Sequence, residues 1–250
     1  MGLSIGNEEE TDMGEMKVGI LAGGAGRRLL EETAIKPKPM VEIGNKPILW
    51  HIMKHYALHG FTRFVIAAGY KGEMIRDYFE RNPEKHWEVD IVDTGINTQT
   101  GGRIKRLAPF LEGRRFLLTW GDAVSDIDLG RQLAFHESHG RLATVTAVNP
   151  PPRFGHLKIE GDRVVRFEEK PVSRNVWING AFFVLERDVF DYIPGDETAW
   201  EMEPMQRLAR DGQLMAYRHF SFWQCMDTLY DRHLLEELWQ SGRAPWRTWE

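Results

Sequence analysis

The sequence predicts an α/β fold with a mixed, mainly parallel central sheet and a small antiparallel β insertion. From Lys17 onward, short apolar runs rich in β-forming residues alternate with helical patterns, which is typical of βαβ units. After three consecutive prolines, residues 150–152, closely spaced strands follow with turns between them. At 250 residues and 42% hydrophobic composition, the chain is long enough for one sizeable core. We therefore expect one domain over 16–250, with the insertion at 151–185.

The first part of this domain alternates between the two kinds of element. Strands are predicted at 17–22, 63–68, 87–92, 115–120 and 142–148. Helices are predicted at 47–59, 71–81 and 129–139. The first of these has proline near its start and Gly60 just past its end, and the last is closed by Gly140.

The second part begins with the insertion, for which we predict strands at 155–159, 163–168 and 176–185. Gly161 and Asp162 supply the turn between the first two strands. Helices at 201–210 and 228–240 then flank a strand at 214–220. Residues 1–15 are acidic and contain glycine, and we expect a disordered lead-in or a tag remnant.

The composition argues against two classes of protein. The 32 Lys and Arg against 37 Asp and Glu give a net charge of -5, without the basic excess of nucleic-acid binders. No apolar stretch approaches the roughly 18 residues that a membrane span needs. The single cysteine, Cys225, forms no disulfide within the chain, so we expect a cytoplasmic protein.

A glycine-rich loop directly follows the first strand. Segment 21–29 reads LAGGAGRRL, and its glycines let the backbone approach a ligand and turn N–H groups toward anionic oxygens. It lacks the Gly-Lys-Ser/Thr of a P-loop, and Leu29 stands where a dinucleotide fingerprint has its third glycine. An ordinary tight turn is the alternative.

Two lysines follow on a segment stiffened by proline. Lys36 and Lys38 alternate with Pro37 and Pro39, whose fixed φ angles restrict the positions of the two ammonium groups. Binding of a triphosphate would use that arrangement. A solvated lysine pair is equally compatible with the pattern.

Two aspartates follow apolar strands and are candidate metal ligands. Asp122 comes after strand 115–120, at the edge of the sheet where open α/β folds bind their ligands. Asp227 follows the apolar and aromatic stretch 220–226. Mg²⁺ bound to phosphates takes only one or two carboxylates, so this pair would suffice. Either aspartate could instead cap a following helix.

A further group of polar residues lies in and after the insertion. Glu169 and Lys170 end one strand, and Asn179 with Gly180 lies in the next. A carboxylate, an ammonium and an amide could hold sugar hydroxyls and a sugar phosphate, although charged strand ends are usually only solvated. Trp223 is close enough in sequence to Asp227 to line such a pocket.

Three histidines share one helical spacing. His51, His55 and His59 fall at i, i+4 and i+8, and therefore on one face of helix 47–59. Because no carboxylate or cysteine lies near them to complete a metal site, we expect a partly exposed helix face rather than a metal centre.

Together these residues resemble the sugar nucleotidyltransferase family from Lys17 to the end of the chain. Within that family, the chain is most similar to the cytidylyltransferases that act on glucose 1-phosphate. The resemblance is carried by the segments 21–24, 36–44, 92–95, 100–103, 121–122, 153–155, 169–171, 178–180, 226–228 and 244–250.

The resemblance implies a Rossmann-like nucleotidyltransferase fold and a role for each group of residues. The triphosphate would be held by Leu21, Ala22, Gly23, Gly24, Gly26, Arg28 and Lys38, and Mg²⁺ by Asp122 and Asp227. Thr100, Gly101, Gly102 and Arg103 would lie near the base. The sugar phosphate would be bound by Lys170, and the sugar by Gly155, Glu169, Asn179, Gly180 and Trp223.

The implied reaction joins CTP and α-D-glucose 1-phosphate to give CDP-glucose and pyrophosphate. The same chemistry on another sugar 1-phosphate, or with UTP or dTTP, remains open, as does a catalytically silent regulatory subunit. We also expect a homo-oligomer, because the family forms them and because Trp246 and Trp249 in the tail would otherwise be poorly covered.

The chain departs from the cytidylyltransferase pattern at three places. Arg27 replaces a threonine in the loop, and Ala123 and Cys225 replace a glycine and a proline beside the two aspartates. The segment between Phe79 and Val92 is also shorter than in those enzymes, in a region that we associate with subunit contacts.

Overall fold

The computed structural model describes residues 15–26, 29–151, 154–169 and 176–249, without the side chains of 30 and 31. The expected lead-in, apart from its last residue, and the candidate residues Arg28 and Lys170 lie outside the described residues. The elements follow in this order: β1 (Lys17–Leu21), α1 (Leu30–Thr33), a 3-10 turn (Lys38–Met40), β2 (Glu42–Ile43), β3 (Lys46–Pro47), α2 (Ile48–Leu58), β4 (Arg63–Ala68), α3 (Gly72–Arg81), β5 (Glu88–Asp93), α4 (Thr100–Leu107), β6 (Arg115–Trp120), β7 (Ala123–Ser125), α5 (Leu129–His139), β8 (Ala143–Val148), β9 (His156–Glu160), β10 (Arg163–Glu168), β11 (Ile178–Glu186), a second 3-10 helix (Arg187–Tyr192), α6 (Glu203–Arg210), β12 (Leu214–His219), β13 (Trp223–Cys225) and α7 (Leu229–Gln240).

Seven strands form the central sheet, in the order β12-β8-β11-β6-β1-β4-β5. Strand β1 pairs in parallel with both β4 and β6, β4 with β5, and β8 with β12. Only β11 runs antiparallel to its neighbours, β6 and β8. The predicted α/β fold with a mixed, mainly parallel sheet is confirmed.

The sheet lies between two apolar layers, because the side chains of each strand alternate between its faces. Val18 and Ile20 of β1 point into a core that also contains buried residues of α2, α3, α5 and α7. Leu21 and the β6 residues Phe116 and Leu118 point into a second core with buried residues of α4 and α6. This three-layer arrangement leaves the carboxyl ends of the parallel strands open for a ligand.

The predicted insertion is smaller than expected. Strands β9 and β10 pair only with each other, as an antiparallel hairpin with mostly exposed residues. The prediction that strand 176–185 belongs to the insertion was wrong, because β11 lies inside the central sheet. Its residues 182–185 are apolar and all buried, so the strand needs cover on both faces, which a two-stranded hairpin cannot provide.

The C-terminal tail is covered by its own chain. Trp246 is fully buried, and its indole Nε1 donates to Nδ1 of His51, whose Nε2 donates to the Ile43 carbonyl. His51 is therefore buried, and so is His55, which bonds to the Ile127 carbonyl, whereas His59 is half-buried. The expected partly exposed histidine face was wrong for His51 and His55. Because Trp246 is already covered, the tail does not support an oligomer in the way we expected. No helix among the described residues has the length and apolarity to cross a membrane.

Candidate active site

A cleft of about 660 Å³ opens at the carboxyl ends of β1 and β6, beside the segment that follows β5. The loops after β1, β4 and β6 are tied together by backbone hydrogen bonds. Gly121 N–H donates to the Leu21 carbonyl at 3.0 Å, and Tyr70 N–H donates to the Gly23 carbonyl at 3.1 Å. The cleft is lined by Leu21, Ala22, Gly23, Gly24, Ala25, Gly26, Lys38, Pro39, Ile96, Asn97, Thr98, Gln99, Thr100, Arg103, Trp120, Gly121, Asp122 and Glu201.

The glycine loop forms the floor of this cleft, and two of its glycines are required by close packing. A Cβ added at Gly23 would lie 2.2 Å from Nη1 of Arg103. Gly26 has a φ of +60°, and a Cβ there would lie 3.0 Å from the Cβ of Lys38. The N–H groups of Gly24, Ala25 and Gly26 donate to no backbone carbonyl of the described residues. Backbone N–H groups of such a loop can bind anionic oxygens.

The proline-stiffened segment places Lys38 beside the loop. Lys38–Met40 forms a buried 3-10 turn that begins after Pro37, whose φ is -66°. Pro39 packs so tightly against the strand end that a Cβ at Gly121 would lie 3.1 Å from its Cγ. Lys36 is directed elsewhere and pairs with Glu42 at 3.1 Å. The structure therefore separates the two lysines, and only Lys38 lines the cleft.

Asp122 and Asp227 are brought together by a short antiparallel ribbon. Strand β7 pairs with β13, with Ala123 opposite Cys225, and Met226 N–H donates to the Asp122 carbonyl at 2.8 Å. The residues flanking this pair therefore end side by side. Their carboxylates flank the Lys38 ammonium, with Nζ 2.7 Å from Oδ2 of Asp122 and 2.6 Å from Oδ1 of Asp227.

Neither aspartate acts as a helix cap. Thr228 is the N-cap of α7 and completes a capping box with Asp231. The residue after Asp122 begins β7 rather than a helix. Asp128, by contrast, caps α5 by accepting a hydrogen bond from Arg131 N–H. The helix-cap alternative for Asp122 and Asp227 is therefore wrong.

The Lys38 ammonium is stabilised in its charged form. Burial lowers the pKa of Lys38, but the charges and hydrogen bonds of Asp122 and Asp227 together outweigh burial and raise it above the usual value. The lysine side chain is 9% exposed, against 25% for Asp122 and 14% for Asp227. A partly desolvated cation thus lies between two partly desolvated anions.

The same two carboxylates fit a divalent cation held jointly with phosphates. Oδ2 of Asp122 and Oδ1 of Asp227 both face the Lys38 ammonium, so the two carboxylates already converge on one positive charge. The described residues contain no group of three or more His, Cys, Asp or Glu side chains suited to a metal. Mg²⁺ needs no such group, since it keeps waters and takes phosphate oxygens beside one or two carboxylates.

The far end of the cleft is formed by the start of α4 and the loop before it. Arg103 is buried and donates to the Ala68 carbonyl, to Oγ1 of Thr94 and to the Ile96 carbonyl. It therefore fixes loop 94–98 as well as lining the cleft. Thr100 also lines the cleft, with its hydroxyl 2.5 Å from Oε2 of Glu201. Nothing in the local sequence marks Glu201, and our sequence analysis missed it.

Gly101 and Gly102, which we expected near the base, lie outside the cleft. A Cβ at Gly101 would lie 2.7 Å from the Thr198 carbonyl oxygen, and one at Gly102 would lie 2.5 Å from the Asp196 carbonyl oxygen. Neither is among the residues that line the cleft. These glycines instead let α4 pack against segment 196–198.

The candidate sugar residues form two small groups. Trp223 Nε1 donates to the Gly180 carbonyl at 2.7 Å, and Asn179 Oδ1 accepts from Ala181 N–H at 2.8 Å. Trp223 pairs with Ser125, so this group adjoins the β7–β13 ribbon at the end opposite Asp122 and Asp227. Gly155 and Glu169 lie together at the base of the hairpin, where a Cβ on the glycine would be 3.2 Å from Oε2 of the glutamate.

The chain belongs to the nucleotidyl transferase family, whose sequence profile matches residues 17–238. It is 50% identical to glucose-1-phosphate cytidylyltransferase of Salmonella typhi over 257 residues, covering 94% of this chain and 100% of that protein. It is 39% identical to the probable glucose-1-phosphate cytidylyltransferase of Bacillus subtilis, again covering 94% and 100%. The crystal structure of HddC from Yersinia pseudotuberculosis matches with a TM-score of 0.72 and 25% identity, over 90% of this chain and 99% of that one. The resemblance seen in the sequence is confirmed.

Proposed function

We propose that this enzyme transfers a cytidylyl group from CTP to α-D-glucose 1-phosphate, giving CDP-glucose and pyrophosphate. The observation that carries the proposal is the Lys38 ammonium between Asp122 and Asp227, at the open side of the glycine loop. Such a cluster suits phosphoryl chemistry, which needs positioning and charge neutralisation more than covalent catalysis. The 50% identity to a glucose-1-phosphate cytidylyltransferase supports the choice of substrates.

The triphosphate lies against the glycine loop in this proposal. The N–H groups of Gly24, Ala25 and Gly26 donate to its oxygens, and the Lys38 ammonium moves from the carboxylates to a phosphate oxygen. Arg28, from the same loop, adds a second positive charge. The base extends toward Thr100 and Arg103 at the other end of the cleft.

Glucose 1-phosphate binds on the side of the ribbon and the hairpin. Lys170 holds its phosphate, while Glu169 and Asn179 hold sugar hydroxyls next to Gly155, Gly180 and Trp223. A phosphate oxygen of the sugar attacks the α-phosphorus of CTP in line with the bond to the bridging oxygen of the β-phosphate. The new P–O bond forms as that bond breaks, and pyrophosphate leaves with the electron pair. No proton transfer or covalent enzyme intermediate is needed.

Mg²⁺ is the cofactor in this proposal, held by Asp122 and Asp227. When bound, it would neutralise charge on the reacting phosphates. Asp122 and Asp227 orient toward one point through their β7 and β13 backbones, so the chain supplies a fixed pair of anionic ligands. Lys38 keeps these anions neutralised when substrates are absent.

A matrix of nucleotides against sugar phosphates tests the proposal. CTP, UTP, dTTP and GTP are each combined with glucose 1-phosphate, mannose 1-phosphate and galactose 1-phosphate, and pyrophosphate release is measured. CTP with glucose 1-phosphate should give the highest kcat/KM. A higher kcat/KM with another pair would replace the proposed substrates, and no release from any pair would support a silent regulatory subunit instead.

We also propose a homo-oligomer in the cytoplasm. The hairpin carries an exposed apolar face formed by Phe154, Leu157, Ile159, Val164 and Phe167, each at least 49% exposed. A second copy of the chain would cover part of that face. Light scattering at micromolar concentration tests the assembly, and an active monomer would contradict it.

The proposed cytoplasmic location suits the single cysteine. The thiol of Cys225 lies 3.9 Å from Oδ2 of Asp227, and in the cytoplasm it stays reduced.

A further inference from the structure

Two carboxylates line the cleft among the described residues, and only one is explained by the phosphate chemistry. Asp122 pairs with Lys38 at the phosphate end. Glu201 lies at the other end, beside Thr100. An anion in a cleft for a triphosphate repels the ligand unless it meets a hydrogen-bond donor there. The ligand group that reaches Glu201 should therefore be a donor.

The Glu201 carboxylate is held in a defined position. The Thr100 hydroxyl accepts a hydrogen bond from Trp200 N–H at 2.9 Å, which directs its own proton to Oε2 of Glu201 at 2.5 Å. This link between residues 101 positions apart depends on Gly101 and Gly102, which let α4 approach segment 196–198. Since the side chain is fixed at Oε2, its position in the cleft is set by the fold.

The second carboxylate oxygen remains available. Oε1 of Glu201 accepts no hydrogen bond from the described part of the chain, and the residue is exposed to the cleft. Glu201 also lies beside the first residue of α4, where the helix dipole favours a negative charge. The site therefore presents a charged acceptor to whatever part of the nucleotide reaches the start of α4.

Resting on the proposed function, we infer that Glu201 reads the 4-amino group of cytosine and so selects CTP over UTP and dTTP. The amino group donates a hydrogen bond, and acidic side chains recognise it in this way when proteins read cytosine. Uracil and thymine carry a carbonyl oxygen at the same position. That oxygen would face the carboxylate, so the wrong bases are rejected by repulsion as well as by a lost hydrogen bond.

The test compares Glu201→Gln with the unchanged enzyme, using CTP, UTP and the triphosphate of the pyrimidin-2-one riboside, which lacks the amino group. The variant keeps the shape of the side chain but loses its charge. A charged hydrogen bond is worth about 10- to 100-fold in binding, so kcat/KM for CTP should fall by about that factor. The kcat/KM for UTP should stay the same or rise, so that the ratio of kcat/KM for CTP to that for UTP falls sharply. The unchanged enzyme should prefer CTP over the pyrimidinone by about 10- to 100-fold, and this preference should be smaller in the variant, whose neutral amide oxygen accepts only a weaker hydrogen bond.

Glu203→Gln is the matched control, because Glu203 is an exposed carboxylate two positions away that does not line the cleft. It should keep both the activity and the ratio. Thermal melting should show that all variants are folded. Glu201→Asp, which keeps the charge on a shorter side chain, should retain more of the CTP preference than Glu201→Gln. Equal losses with CTP and UTP would overturn the inference and indicate a structural role for Glu201.

The outcomes also separate the inference from the proposed function. If the unchanged enzyme prefers CTP and Glu201→Gln keeps that preference, the inference alone is wrong. If the unchanged enzyme does not use CTP with any sugar phosphate, the proposed function is wrong, and the reading of cytosine falls with it.

Discussion

Nζ of Lys38 lies 2.6 Å from Oδ1 of Asp227, although the two residues are 189 positions apart in the chain. The same ammonium group donates a hydrogen bond to Oδ2 of Asp122 at 2.7 Å. Three segments of the fold, the proline-stiffened turn and the ends of two strands, are therefore coupled through one cation. Removing any of the three charges should disturb the other two.

Replacement of Lys38 by methionine should impair catalysis strongly. The variant keeps much of the side-chain volume but removes the positive charge that, in our proposal, binds the triphosphate. We expect kcat/KM to fall by about 100-fold or more, on the scale of losing one electrostatic contributor in a preorganised site. Steady-state kinetics by pyrophosphate release measures this. Lys36→Met is the matched control, since Lys36 pairs with Glu42 outside the cleft, and it should stay within about twofold of the unchanged enzyme. Equal effects of the two changes would contradict the account.

The two adjacent loop glycines should respond differently to alanine. A Cβ at Gly23 would overlap the buried Arg103 guanidinium, whereas a Cβ at Gly24 meets nothing within 4 Å. Because Arg103 is fixed by three hydrogen bonds, Gly23→Ala should destabilise the fold by about 1–3 kcal/mol, as other cases of overpacking do. Gly24→Ala should leave the melting temperature unchanged. Calorimetry of both variants measures the difference, and equal melting temperatures would show that Arg103 can move aside.

Stability should decrease as the pH falls from about 6.5 to 4. Burial lowers the pKa of His51, His55 and His136 to about 4, below the value of 6.5 in the unfolded chain. As the pH falls, these histidines therefore take up protons in the unfolded chain before they do so in the folded chain. The stability that comes from keeping them neutral is complete above about pH 6.5 and is lost toward about pH 4. Each imidazole contributes at most about 1.4 kcal/mol per pH unit in this window.

Urea unfolding at several pH values measures that dependence. His51→Gln removes one of the three titrating groups and should make the stability less steep in pH than in the unchanged protein. An unchanged slope would mean that His51 is not held neutral between Ile43 and Trp246.

The regular elements of the fold could be predicted because their patterns are local. Strand β1 and helix α5 carry apolar periodicity and end signals within their own sequence, and both lie close to their predicted bounds. Helix α4 escaped prediction, since two glycines in its first turn weaken the helical pattern. The ribbon of β7 and β13 also escaped, because each strand has three residues and pairs only with a distant partner.

In the site, too, only features with a local sequence pattern could be predicted. Asp122 and Lys38 stood out because a strand end and a Lys-Pro segment are recognisable in sequence. Their ion pair, and the position of Glu201 beside Thr100, depend on contacts between residues 84 and 101 positions apart. The burial of His51 depends on the tail residue Trp246, 195 positions away. Such contacts follow from the three-dimensional packing and leave no local pattern.

Asp122 and Asp227 form the proposed cation site for nucleotidyl transfer. Asparagine at either position keeps the shape but removes one formal charge from the proposed Mg²⁺ ligands. We expect each change to lower kcat by at least about 100-fold, with the double variant less than multiplicative because both residues act through one ion. Folding should be largely unaffected, since neither residue caps a helix.

The most direct measurement is the initial rate of pyrophosphate release across a Mg²⁺ titration for the unchanged enzyme, Asp122→Asn and Asp227→Asn. The account predicts that each variant needs more Mg²⁺ for half of its maximal rate and that the maximal rate itself stays low. Variants that retain the rate and the Mg²⁺ dependence of the unchanged enzyme would contradict it.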